Sequence, residues 1–147
     1  MKNFITTALT SGVLAVAASV ASAGEIAVIV KTTNSSFWQN VNKGASAAIE
    51  GHAEHTMTFN GPASESAIAD QVALVENAIN RGVSAIVLAP SDPEALAPVV
   101  KRAFESGIPV AIIDSGLAEG SEQYYQAFLS TDNCAAGEQA AQMMIDN

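Results

Sequence analysis

Apolar, β-branched runs alternate with helical patterns along this chain, and that alternation restricts the fold more than any other feature. Residues 26–30, Ile-Ala-Val-Ile-Val, form a continuous apolar run of the kind that a strand buried on both faces requires. From Phe37 to about Glu50 the spacing is helical, with Phe37, Val41, Ala45 and Ala48 or Ile49 sharing one face. Residues 56–59 make a short second strand, ended by Gly61-Pro62. Residues 66–80 are the clearest helix, with Ile68, Val72, Val75 and Ile79 on one stripe and Gly82 following as a C-terminal cap. Residues 85–89 are a third strand. Ser91 and Glu94 then have capping-box spacing and Pro93 suits a first turn, so a helix opens there and runs to Phe104 or Glu105 before Gly107. Residues 110–113 are a fourth strand, and a short fifth lies near residues 127–129. Thr131-Asp132-Asn133 caps a last helix from about Ala135 to Ile145.

This order predicts the α/β class: βαβ units with right-handed crossovers, packed as a doubly wound parallel sheet. In such sheets ligands bind outside the carboxyl ends of the strands. That rule selects the loops at residues 31–36, 60–64, 90–92 and 114–116. The first of these is polar and ends in two aromatic rings, Phe37 and Trp38, at the start of a helix. Polar groups fix a ligand's hydroxyls while flat aromatic faces cover its C–H surface, the pattern expected for a small, hydroxyl-rich ligand. Phe37 shares the helix face of Val41 and Ala45, so a core role competes with a ligand role there. Trp38 lies one residue off that face, toward the ligand side, where an amphipathic ring suits a half-wet site.

Residues 1–23 read as a cleavable secretion signal: Lys2 supplies a positive start, an apolar stretch covers residues 13–20, and Ala21-Ser22-Ala23 is an A-x-A cleavage site. The apolar stretch is short for a membrane span, which needs about 20 apolar residues. The expectation is a periplasmic protein with no stable membrane anchor after cleavage. With 15 acidic residues against 6 basic ones the net charge is −9, which argues against nucleic acid as a partner. Cys134 is the only cysteine, so no intrachain disulfide forms; a buried thiol is expected. His52 and His55 sit in a turn with Glu54 between them, and a metal site would need further converging ligands. No nucleophile elbow, dinucleotide fingerprint or phosphate-cradling loop occurs, so no cofactor is indicated. Asp114 is the only acid at a strand's carboxyl end that we nominate for catalysis, and it has no evident basic partner; the expectation is therefore not an enzyme.

Four stretches carry a resemblance: residues 26–38; residues 78–90, Ala-Ile-Asn-Arg-Gly-Val-Ser-Ala-Ile-Val-Leu-Ala-Pro; residues 107–114, Gly-Ile-Pro-Val-Ala-Ile-Ile-Asp; and residues 130–133, Ser-Thr-Asp-Asn, with Gly137 in the helix after them. Together, in this order, they resemble the periplasmic sugar-binding proteins of ABC importers, the ribose/allose/galactose type with the type I periplasmic-binding-protein fold. The resemblance implies two hinged α/β lobes that close on a sugar or polyol and then engage an ABC permease in the inner membrane. It implies a signal at residues 1–23, a first lobe over residues 24–129 and the start of a second over residues 130–147, so the chain resembles the front half of such a receptor. By the same resemblance Phe37 and Trp38 cover the sugar ring, Asp114 accepts hydrogen bonds from two hydroxyls, and Lys31 donates to a hydroxyl. Ser35 stands where the ribose type has Asn, with Asn34 beside it. Ser115 stands where the ribose type has Arg, which leaves the identity of the sugar open.

Three other functions bear on these residues. The same fold serves LacI-type repressors, but a secretion signal stands where their helix-turn-helix would be. A periplasmic sensing module for a chemoreceptor or sensor kinase would look alike in sequence. A secreted α/β enzyme would need an acid–base pair that Asp114 alone does not supply. The resemblance also implies that one lobe alone binds sugar weakly and that the last helix exposes Ala140, Met143 and Met144.

Overall fold

The computed structural model describes residues 24–146, so the secretion signal read over residues 1–23 lies outside the described residues. The elements run β1 (Gly24–Ile29), α1 (Ser36–Ile49), β2 (His55–Asn60), α2 (Ile68–Arg81), β3 (Ala85–Leu88), α3 (Pro93–Glu105), β4 (Val110–Ile113), β5 (Ala127–Leu129) and α4 (Asn133–Ile145). A single 3-10 turn, Glu122–Tyr124, precedes β5. The strands form one parallel sheet in the order β2-β1-β3-β4-β5. Each expected element is present, with ends that agree to within a residue or two.

The pleat sends alternate residues to opposite faces. On one face Ala27, Ile29, Ile86, Leu88, Val110 and Ile112 meet Val75 and Ala78 of α2 and the Leu96, Val99, Val100 and Ala103 stripe of α3. On the other, Val28, Val30 and Ala89 meet Trp38 of α1. β1 therefore contributes to both cores, as its unbroken apolar run requires. The second face is covered less completely: Ile26, Met57, Phe59, Val87 and Ile113 stay half-buried around α1.

Three local expectations are corrected. On α1, Trp38 rather than Phe37 shares the core face of Val41 and Ala45; Trp38 is 2% exposed and Phe37 56%. Spacings of three and four from Trp38 reach Val41 and Ala45 as well as spacings of four and four from Phe37 do. The larger ring also finds a partner for its N–H, Glu65 Oε1 at 3.3 Å. At α3 the cap is Asp92, not Ser91: its carboxylate accepts from the Ala95 N–H at 2.7 Å. Pro93 forces the residue before it into extended backbone, and that is the conformation a cap needs. The Ser91 hydroxyl is left buried with no hydrogen-bond partner. Finally, Cys134 is exposed, because α4 buries none of its residues. Met144 and Ile145 of α4 are likewise exposed, as is Met143.

A side-chain cluster ties β1, β2 and α2 together at the far end of the sheet. Arg81 donates to Glu25 Oε1 at 2.7 Å, and Thr58 donates to the same oxygen at 2.8 Å. The Arg81 bond, then the Thr58 bond, hold the Glu25 carboxyl below its ordinary value. A lowered folded-state value means that the pair stabilises the fold above the carboxyl's unfolded pKa and that this contribution is lost as pH falls through the folded value.

Asp92→Ala is expected to lower stability in urea by about 1 kcal/mol, whereas Ser91→Ala is neutral or stabilising because it removes an unsatisfied hydroxyl. Glu25→Gln should cost under about 1 kcal/mol at neutral pH, given how open Arg81 is to solvent. Its difference from the wild type should shrink below about pH 4; a constant difference across that range would contradict the assignment.

Candidate functional site

In the sheet, only β3 separates the carboxyl ends of β1 and β4. The strand order runs outward in both directions from the β1–β3 boundary, the kind of switch point at which a crevice opens. Lys31 follows β1 there, and Asp114 and Ser115 follow β4. Lys31 Nζ lies 2.7 Å from Asp114 Oδ2 and donates to Ser115 Oγ at 2.6 Å. Ser115 Oγ donates in turn to the same carboxylate oxygen at 3.1 Å. The side chains of Lys31 and Asp114 are 16% and 33% exposed. The expectation that Asp114 has no basic partner is thus corrected: parallel winding brings together residues that are far apart along the chain.

The Asp114 backbone is unusual. With φ at 66° it is the one non-glycine residue with positive φ among the described residues. The Ser115 N–H donates to the Ile113 carbonyl at 2.8 Å, closing a γ-turn around Asp114. A positive φ in a non-glycine residue costs on the order of 1 kcal/mol or more and is found most often in Asp and Asn. Two further bonds hold it there: the Asp114 N–H donates to the Leu129 carbonyl at 2.9 Å, and Ser130 Oγ donates to the Asp114 carbonyl at 2.6 Å.

Among the described residues, Asp114 Oδ1 has no hydrogen bond, and Lys31 Nζ donates one, to Ser115 Oγ, while its charge lies 2.7 Å from Asp114 Oδ2. The group therefore offers acceptor sites on one carboxylate oxygen and one ammonium N–H, a match for neighbouring hydroxyls. Beside it opens a cavity of about 310 Å³ lined by Phe37, Trp38, Asp114, Leu129, Ser130 and Thr131, among others. Phe37 and Trp38 meet edge to face, their centroids 4.8 Å apart and their planes at 84°. Only the Phe37 ring presents a broad open surface; Trp38 backs it from the core.

Not every expected residue faces this space. Ser35 is the cap of α1, its hydroxyl accepting from the Trp38 N–H at 3.3 Å, and Asn34 donates to the Ala63 carbonyl at 3.0 Å. Both hold the entry to α1. Lys31 and Ser115 adjoin the cavity through Asp114 and do not line it. Ser130 and Thr131 were missed by the sequence reading; the carboxyl-end rule, applied to β5 as to the other strands, points to them. A larger hollow of about 530 Å³ lies under the far end of α1 against Ile26, Val28, Met57 and Val87. It is apolar, and of its rim residues His52 and Glu54 are bonded to each other at 3.1 Å. Among the described residues no cluster of His, Cys, Asp and Glu is placed to hold a metal ion. No helix among them is long and apolar enough to cross a membrane.

The ion pair is testable without any ligand. In a double-mutant cycle of Lys31→Met and Asp114→Asn, a coupling of about 1 kcal/mol is expected from denaturation midpoints. Simple additivity of the two substitutions would show that the pair contributes nothing.

Residues 26–147 match the family model of the periplasmic binding protein domain. An ABC transporter solute-binding protein from Agrobacterium vitis, solved with bound D-fucose, is 69% identical and superposes with a TM-score of 0.81, over 84% of this chain and 42% of that one. The D-ribose/D-allose-binding protein of Pseudomonas aeruginosa is 38% identical over 91 residues, covering 61% of this chain and 28% of that protein. The D-allose-binding periplasmic protein of Escherichia coli is 29% identical over 137 residues, covering 90% of this chain and 44% of that protein. The chain thus spans less than half the length of each.

Proposed function

The chain belongs to the periplasmic binding protein domain family, and from that premise we propose that it supplies the first ligand-gripping lobe of a solute receptor for an ABC importer. Residues 24–129 form that lobe and residues 130–147 open a second. The ligand is a sugar or polyol, the partner is an inner-membrane permease, and the place is the periplasm, the location that the name of the Escherichia coli relative carries. No bond is made or broken. A sugar that touches both lobes shifts the population toward the closed state.

The observation that carries this reading is the Lys31–Asp114–Ser115 cluster at the carboxyl ends of β1 and β4, beside the open ring of Phe37. A carboxylate oxygen and an ammonium N–H side by side pair with two adjacent hydroxyls through charge-assisted bonds. The Phe37 face then packs on an apolar face of the ring. A 6-deoxyhexose of the D-fucose kind has both features, and the identity of 69% to a D-fucose-bound receptor favours it over a pentose. Ser115, where the ribose type has Arg, points the same way.

One wall offers half of a ligand's contacts, so the 147-residue chain is expected to bind D-fucose only at about millimolar concentration. Amide NMR shifts during a D-fucose titration should be confined to residues around Lys31, Phe37, Asp114 and Ser130. Shifts scattered over the surface, or none at about 50 mM sugar, would overturn the reading. Micromolar binding would show that a second wall is not required.

A further inference from the structure

Gln71 is fully buried on α2, the one uncharged polar side chain among the described residues with no solvent exposure. Its amide nitrogen donates to two backbone carbonyls, Val30 at 3.1 Å and Ala89 at 2.8 Å. Its amide oxygen accepts from the Ser91 N–H at 2.8 Å. Val30 is the residue before Lys31. Ala89 and Ser91 flank Pro90 just beyond β3.

These three bonds lie where the sheet ladder gives out. The β1–β3 register ends at Ile29 and Leu88, and the Ala89 N–H still reaches the Ile29 carbonyl at 2.9 Å. Past that point Gln71 stands in for a neighbouring strand and sets how far apart the ends of β1 and β3 lie. The Lys31–Asp114 bond must reach across the end of β3, because β3 separates β1 from β4. The gap that Gln71 fixes is the first part of that reach. The loop is braced from a second side by Gly61. A Cβ at that position would come within 2.9 Å of the Val30 carbonyl oxygen and 3.2 Å of Thr32 Cα.

We propose that Gln71 is a positioning residue for the candidate site: its buried amide fixes the backbone at Val30 so that Lys31 is held on Asp114. Gln71 touches no ligand and acts through Lys31. The value of this for sugar binding rests on the receptor reading above, whereas the positioning itself does not.

The test therefore has a ligand-free arm. Amine acetylation of the folded chain, followed by peptide mass spectrometry, gives separate rates for Lys31, Lys43 and Lys101. Gln71→Met is expected to raise the Lys31 rate about fivefold while Lys43 and Lys101 stay unchanged, the scale of one lost buried polar contact. Gln71→Asn, one methylene shorter, gives the same readout if the Met variant does not fold. Gly61→Ala should release Lys31 in the same selective way. An unchanged Lys31 rate in a folded variant overturns the proposal. So does an equal rise at all three lysines, which would make Gln71 a support of the whole fold. In the ligand arm, Gln71→Met weakens D-fucose binding, and the Gln71→Met/Lys31→Met double variant binds no more weakly than Lys31→Met alone. If the wild type binds no sugar while Lys31 is still selectively released, the receptor reading fails and the positioning role stands.

Discussion

The structure depends first on β1 being buried on both faces. Ala27 and Ile29 enter one core, and Val28 and Val30 the other. A strand with two apolar faces is stable only at the centre of a sheet with helices on either side. That places β2 and β3 as its neighbours and puts α1 opposite α2 and α3. The same burial determines where the strand must stop. Lys31 carries a charge that neither core can take, so the chain leaves the sheet there and the ammonium stays at the rim. The site begins at the boundary that core solvation imposes.

At that rim the electrostatics are local. Lys31 and Asp114 are partly open to water, so their attraction is modest beside that of a buried pair, and the desolvation penalty is modest too. What the fold adds is placement. Three hydrogen bonds hold the turn at Asp114; of the three that Gln71 makes, one holds the Val30 carbonyl beside Lys31 and two hold the backbone just beyond β3. A binding group whose backbone is held in advance loses less entropy when a ligand arrives. The strain at Asp114 has a place in this account, because strained residues persist where surrounding bonds over-determine them.

Much of this was legible in the sequence because it is periodic. The strands at residues 26–30, 85–89 and 110–113, and the Ile68-Val72-Val75-Ile79 stripe, are one-dimensional signals of burial, and the sheet follows from their order. The carboxyl-end rule selected the loops that hold Lys31, Asp114 and Ser115, and the resemblance singled those residues out within them. It did not pair them, because pairing depends on strand order, which a linear reading leaves open. Phe37 and Trp38 were exchanged because both fit the same face with Val41 and Ala45, and the contact of Trp38 with Glu65, which depends on the fold, is absent from a linear pattern. Gln71 escaped notice for another reason. It lies within the apolar stripe of α2, where a polar residue has no periodic signature, and its partners are backbone groups on two other elements.

The contact of Lys31 with Ser115 also limits what position 115 can hold. In the ribose type, an Arg at the position of Ser115 would put a guanidinium beside Asp114, with donors that match a carboxylate bidentately. Here the short hydroxyl leaves the carboxylate's cation to come from β1: Lys31 lies 2.6 Å from Ser115 Oγ and 2.7 Å from Asp114 Oδ2. Position 31 and position 115 are thus coupled through one carboxylate oxygen. Introducing Arg at position 115 would add a second cation within reach of the first, and like charges this close repel.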